Sequence, residues 1–145
     1  MKKCEIKIEK SIYNSILNDV PCAPPESGGI IGGVNGIITT YVNDFGINLS
    51  SFFRYQPDVD KLNCVIADWI AGKIDFMGMF HTHPLGDDRL SQADYKYIEA
   101  IMKGVSRYTN ILCFLLVIPK EKIIGYCAIN IADEISVFQT AINII

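Results

Sequence analysis

Eight consecutive residues, Ile111–Ile118 (ILCFLLVI), are all apolar. The run is far too short to cross a bilayer and reads as a strand buried on both faces. Such a strand needs cover above and below, so the chain must place other elements on either side of a sheet. With 145 residues, 50% of them apolar and 20% charged, it can build a full core and suits one domain spanning 1–145. The net charge of −3 is spread along the sequence. There is no basic stripe for nucleic acid and no acidic tail, which argues against direct nucleic-acid binding. The opening MKKCEIKIEK alternates charged and apolar residues, unlike a signal peptide. A cytoplasmic address without membrane contact is therefore expected. The five cysteines, Cys4, Cys22, Cys64, Cys113 and Cys127, are odd in number, widely spaced and form no CxxC pair. Reduced, mostly buried thiols are expected.

The rest of the chain alternates strand and helix signals without repeats or linkers. Residues 3–8 place Cys4, Ile6 and Ile8 on one side of a strand. Residues 12–20 have helical spacing, with Ser11 as the predicted N-cap. Pro21, Pro24 and Pro25 then force an extended path. Residues 28–41 predict a hairpin turning at Asn35-Gly36. Residues 43–55 read as short strands or loop. An amphipathic helix is predicted over 58–72, following Pro57. A strand comes next over 76–83, then a polar loop over 84–90 and a second helix over 91–103, closed by Gly104. Residues 123–130 form a strand after a turn at Pro119-Lys120, and 135–145 suit strand or helix. The pattern predicts an α/β (α+β) sandwich: a mixed β-sheet flanked by two or three helices.

Chemistry concentrates in three places. The only two histidines stand two apart in Phe80-His81-Thr82-His83-Pro84. On a strand, residues i and i+2 share a face, so both imidazoles can meet one metal ion. The pair alone equally fits two histidines at an ordinary strand end. Ser91-Gln92-Ala93-Asp94 then opens a helix. Asp94 offers a third, anionic ligand, and two His with one carboxylate leave an open position, as catalytic zinc sites do. The same four residues also spell a capping box, with Ser91 at N-cap and Asp94 at N3. The third place is Pro25-Glu26-Ser27-Gly28-Gly29-Ile30-Ile31-Gly32-Gly33. There a single acid stands at the mouth of a strand whose glycines allow close backbone approach. Glu26 suits a general base, though a solvated Glu beside a turn would look the same. A phosphate loop is excluded, because no Lys-Ser/Thr ending or helix comes after the glycines.

Taken together these pieces resemble the JAMM metalloprotease family, also called MPN-plus domains. Its pattern is a Glu, then after a long gap His-Ser/Thr-His, seven residues, and Ser-x-x-Asp. Here that is Glu26, His81-Thr82-His83, the spacer 84–90, and Ser91-Gln92-Ala93-Asp94. The resemblance spans roughly the whole chain and departs little; many bacterial relatives have Pro where this chain has Leu90. It implies a JAMM/MPN-like fold of cytidine-deaminase-like architecture and one catalytic Zn2+ per chain. It also implies hydrolysis of peptide or isopeptide bonds. His81, His83 and Asp94 would hold the metal. Glu26 would activate water and return its proton to the leaving amine. Ser91 would donate to the oxyanion. Substrates would be proteins or peptides, and compact bacterial relatives often act on ubiquitin-like or sulfur-carrier proteins. The alternatives within the same fold are a non-catalytic MPN-type interaction domain and a DNA-repair-associated domain. An extended substrate tail containing glycine is expected to add along an exposed sheet edge near the site. The sequence leaves the oligomeric state open.

Overall fold

The structure is a computed structural model and describes residues 5–47 and 55–145. Among those residues the order is β1 (Ile6–Ile8), α1 (Lys10–Asp19), β2 (Gly28–Val34), β3 (Ile37–Asp44), α2 (Val59–Ala71) and β4 (Asp75–Thr82). Then come α3 (Gln92–Gly104), β5 (Ile111–Ile118), β6 (Lys122–Ile131), β7 (Glu134–Thr140) and β8 (Ile142–Ile144). The strands form one mixed sheet in the order β7-β6-β5-β4-β2-β3-β1-β8. β4 runs parallel to β5, and β1 runs parallel to both β3 and β8. The remaining neighbours are antiparallel.

β5 is covered on both faces, as its unbroken apolar run requires. Cys113, Leu115 and Val117 join one core with Ile16 and Val20 around α1. Leu112, Phe114 and Leu116 join a second core with Leu62 and Trp69 of α2 and Ile98 and Met102 of α3. The sheet departs from the flat layer of a sandwich. A single residue, Ala141, separates β7 from β8, which lie at opposite ends of the strand order. The chain's last extended segment therefore joins the two ends and curls the sheet into a nearly closed, barrel-like form. Ile6 and Ile142 accordingly lie against Gly125 of β6. The α+β class stands, with three helices among the described residues.

Most local signals have their structural counterparts. The Asn35-Gly36 turn has positive φ at both residues, as a two-residue hairpin demands. Asp58 caps α2 by accepting the Lys61 N–H, and Gly72 ends it. Residues 135–145 are strand, not helix. Ser11 is not the cap of α1: the helix begins at Lys10 behind Glu9, which makes no side-chain cap bond. Of 43–55, Asn43 and Asp44 complete β3, while 48–54 lie outside the described residues, as do 1–4. The thiol prediction fails in part. Cys113 is buried and free, Cys22 and Cys64 are exposed and free, and Cys127 is disulfide-bonded. Spacing along the chain gives no measure of which cysteines a closed sheet brings together. No helix among the described residues is long and apolar enough to cross a membrane.

One irregularity in β4 sets the direction of its histidines. Ile31 of β2 faces Gly78, yet Gly32 faces Phe76, so Met77 is an extra residue in β4. Gly78 takes φ 149°, and a Cβ there would overlap the Cys113 carbonyl on β5. Phe76 and Met79 both pack into the α2/α3 core, whereas Met77 and Phe80 both pack into the α1 core. Residues three apart share a face, which an unbroken strand does not permit. The bulge thus resets the phase of β4, and His81 emerges toward α3. Gly78→Ala is expected to cost ~3 kcal/mol or more, because the new Cβ meets backbone at a φ that L residues rarely adopt. Urea unfolding of the variant measures this, and a loss within 0.5 kcal/mol, roughly the size of a neutral surface change, would contradict it.

Candidate metal centre

The three chemically marked segments meet at the C-terminal end of β4. His81 lies within that strand, and His83 just past it still donates its backbone N–H to Val117 O of β5 at 3.0 Å. The two Nε2 atoms are 3.1 Å apart. Asp94, in the first turn of α3, spans the pair: Oδ1 is 3.3 Å from His81 Nε2 and Oδ2 is 3.2 Å from His83 Nε2. A tetrahedral ion with bonds of ~2.0–2.1 Å holds its ligand atoms ~3.3–3.4 Å apart. The observed spacings of 3.1–3.3 Å are close to those edges, with Asp94 meeting the two histidines through different oxygens. Lone pairs gathered this closely repel unless a cation or protons lie between them, so the donor set suits a divalent metal.

Asp94 sits where both readings that the sequence offered are compatible. Its Oδ2 accepts the Ser91 N–H at 2.8 Å, and Ser91 Oγ accepts the Asp94 N–H at 3.1 Å, which completes the capping box. The same carboxylate faces both histidines. A carboxylate has about four lone-pair positions, so the two duties do not compete. The cap also fixes the rotamer that aims Asp94 at the site. Burial works against its charge, but the adjoining His81 and His83 prevail and hold its carboxyl well below the usual range. Ser91 retains its hydroxyl proton while Oγ accepts, so it remains able to donate.

The second ring nitrogen of His83 fixes its orientation. Nδ1 lies 3.1 Å from the Asp87 carbonyl. Donation there leaves the Nε2 lone pair directed at the centre. Thr82, between the histidines and fully buried, points the other way. Its Oγ1 accepts the Ser27 N–H at 2.9 Å and donates to Ser27 O at 3.3 Å. The Thr82 N–H donates to the same carbonyl at 2.8 Å. Three bonds thus pin the residue next to Glu26 against the strand that carries both histidines.

Glu26 approaches the centre from this anchor. Its carboxylate and the ring nitrogens of His81 and His83 all lie within 4.8 Å of one another, a spacing that would also let Glu26 serve as a ligand. Asp94 lies 3.2–3.3 Å from the same nitrogens, so two carboxylates are within reach of one ion. Burial raises the Glu26 carboxyl above its ordinary value, while His83 and His81 pull in the opposite direction without cancelling it.

Two further residues wall the site, and neither carries a signal in its local sequence. Gly28, opposite His81, lies under the Tyr55 ring, leaving no room for a side chain. Tyr55 donates its hydroxyl to buried Asp44 at 2.7 Å, and Asp44 also accepts the Asp58 N–H at 3.0 Å. Tyr97 of α3 closes another side. Together Glu26, Tyr55, His81, Ala93, Asp94 and Tyr97 enclose a cavity of about 210 Å³. Tyr55 ends the stretch whose secondary structure the sequence left open, and nothing in its neighbours marks it.

The expected addition of a substrate strand along an exposed edge finds no such edge on the described strands of the centre. β4 and β2 both lie inside the sheet, flanked by β5 and β3. The free sides belong to β7 and β8, so no backbone edge is exposed on the strands that carry the centre.

No protein-family model matches the chain, and neither does any curated protein sequence. Solved structures do. The solution structure of a Desulfitobacterium hafniense protein is 16% identical, with TM-score 0.65 over 97% of this chain and 94% of that one. The solution structure of a Salinibacter ruber protein is also 16% identical, with TM-score 0.53 over 97% and 92% of the two chains. At this identity the likeness establishes a shared fold.

Thr82→Val keeps the shape of the side chain but removes both hydroxyl bonds to Ser27. It is expected to cost about 1–3 kcal/mol, since the Ser27 N–H is left buried without a partner. Thr82→Ser, which keeps the hydroxyl, should recover most of that loss. Thermal or urea denaturation of both variants decides it, and equal stability of the Val variant and the parent would refute the anchor.

Proposed function

We propose that this protein is a zinc-dependent hydrolase of peptide or isopeptide bonds. The observation that carries this reading is the convergence of two histidine Nε2 atoms and the Asp94 carboxylate at tetrahedral spacing, with a second, separately anchored carboxylate beside them. Three ligands with an open fourth position are the mark of a catalytic rather than a structural zinc site. His81, His83 and Asp94 would hold Zn2+, which when bound supplies Lewis-acid polarisation of a carbonyl oxygen.

The chain's own groups divide the remaining work. Glu26, with its carboxyl raised by burial, accepts a proton from the attacking water. It then delivers that proton to the departing amine nitrogen as the C–N bond breaks. Ser91 donates its free hydroxyl proton toward the oxygen that gains negative charge. Tyr55 and Tyr97 shield the cavity from bulk water, which strengthens each of these interactions. The JAMM/MPN resemblance of the motif agrees with this division. It extends the proposal to the tail of a ubiquitin-like or sulfur-carrier-like protein, or its conjugate, as substrate.

The purified protein is expected to hold one zinc per chain by elemental analysis. His81→Ala, His83→Ala and Asp94→Ala should each lose it. Glu26→Gln should keep both fold and zinc while turnover falls by ~10²–10⁴-fold, the usual worth of general acid–base catalysis. A folded Glu26→Gln protein without zinc would make Glu26 a ligand and reverse its role with Asp94. A wild-type protein that takes up no zinc would instead favour a non-catalytic interaction domain.

Ser91→Ala should keep zinc, lose ~1 kcal/mol of stability with the cap, and slow single turnover by roughly 10²–10³-fold. Full activity in a destabilised Ser91→Ala protein would confine Ser91 to capping.

A further inference from the structure

The residues between His83 and Ser91 serve only as a spacer in the motif, yet one of them returns to the centre. The Asp87 N–H donates to Pro84 O at 3.0 Å and closes a turn. Gly86 stands third in that turn at φ 90°, a conformation that glycine adopts at little cost. The turn brings Asp87 back onto the imidazole from which the loop sets out. Two of its oxygens then face the same atom. His83 Nδ1 is 3.1 Å from the Asp87 carbonyl oxygen and 3.4 Å from Oδ2 of the Asp87 carboxylate. The residues that follow hold the loop in place. Asp88 pairs with Lys122 Nζ of β6 at 2.8 Å, and Leu90 packs against the α2/α3 core.

We infer that Asp87 is a positioning residue for His83, and that its carboxylate, in addition to its carbonyl, strengthens the hold of His83 on a metal ion. The inference rests on the metal centre of the hydrolase reading. A neutral imidazole carries one N–H and one lone pair. With Nδ1 as the donor, the Nε2 lone pair is free to ligate. A carbonyl acceptor is enough to fix that tautomer. An anionic acceptor does more: it draws the Nδ1 proton toward itself, which enriches the Nε2 lone pair and makes it a better donor to a cation. The His83 ring is buried, whereas the Asp87 carboxylate is 57% exposed. Its removal therefore leaves the cores intact, and the turn persists because the bond that closes it is made by backbone alone.

The probe is zinc alone, and the readout is its affinity, measured by competition against a chromophoric chelator. Asp87→Ala keeps the turn and the carbonyl but removes the carboxylate. It should weaken zinc binding by about 10-fold, the lower end for an outer partner of a ligating histidine. The melting temperature of the zinc-free protein should not change. Asp87→Asn offers an acceptor without charge and should recover only part of the loss. The chain has two histidines, so the proton–nitrogen imidazole spectrum of the zinc-loaded protein is simple to assign. The Nδ1–H resonance of His83 should move upfield in Asp87→Ala while the ring signals of His81 stay in place.

Equal zinc affinity in wild-type and Asp87→Ala protein overturns the inference and leaves the metal centre standing. A loss of affinity with the His83 resonance unmoved also overturns it, as does one matched by a lower melting temperature, since either assigns Asp87 to the loop and not to the ring. Full recovery in Asp87→Asn overturns the role of the charge. A wild-type protein that takes up no zinc removes the centre itself, and the inference falls with it.

Discussion

Met77 is one residue more than β2 can pair, and β4 absorbs it at Gly78, where the backbone takes φ 149° against the Cys113 carbonyl. Without that insertion the alternation of β4 would carry through unbroken. Phe80 would then fall on the α2/α3 side, and the histidines would face the α1 core. Such a core could satisfy neither a metal nor two imidazoles. With the insertion, Phe80 fills the α1 core and His81 and His83 reach the start of α3. The approach of Asp94, the pairing of Gly28 with His81 and the Thr82–Ser27 anchor all presuppose this phase.

Much of this was legible because the signals are local. The i, i+2 spacing of His81 and His83 announces a shared face regardless of tertiary context. Ser91 and Asp94 announce a helix start, and Ile111–Ile118 announces a strand with cover on both sides. The signals that failed are those whose meaning lies in distant partners. Gly78 is one glycine among several in strands, and only the neighbouring β5 backbone shows why it must be glycine. Thr82 passes for a spacer until Ser27, fifty-five positions earlier, lies beside it. Ser11 resembles a cap, yet β1 delivers the chain to α1 two residues earlier, with Glu9 N–H bonded to Ile38 O. The closure through Ala141 and the disulfide at Cys127 likewise depend on how distant segments come together, which no window of sequence contains.

The two carboxylates show how one site can set similar groups to different tasks. Asp94 faces both histidines and accepts the Ser91 N–H, so its charge is favoured. That suits a ligand, which must stay anionic. Glu26 is half-buried with no comparable donor, and its carboxyl moves upward. That suits a group that must take up and release a proton. Environments that separate the acidities of neighbouring acids are a general means of giving them different roles. The capping box contributes to the separation, because it supplies one of the donors that hold Asp94 ionised.

Closure of the sheet also governs how a substrate can be held. An open sheet offers backbone edges, and an extended peptide can add to one as a further strand. Here the strands bearing the centre are interior, and the end strands β7 and β8 run into each other. Among the described residues, the strands beside the histidines therefore have no free backbone edge. On the face of the centre, α2 packs on β2 and β4 and α3 on β6 and β7, Ile30 and Met79 are buried, and Tyr97 stands at the edge of the centre's cavity. What the fold leaves at the centre is a cavity walled by side chains, with the free backbone edges on β7 and β8 rather than on the strands that bear it.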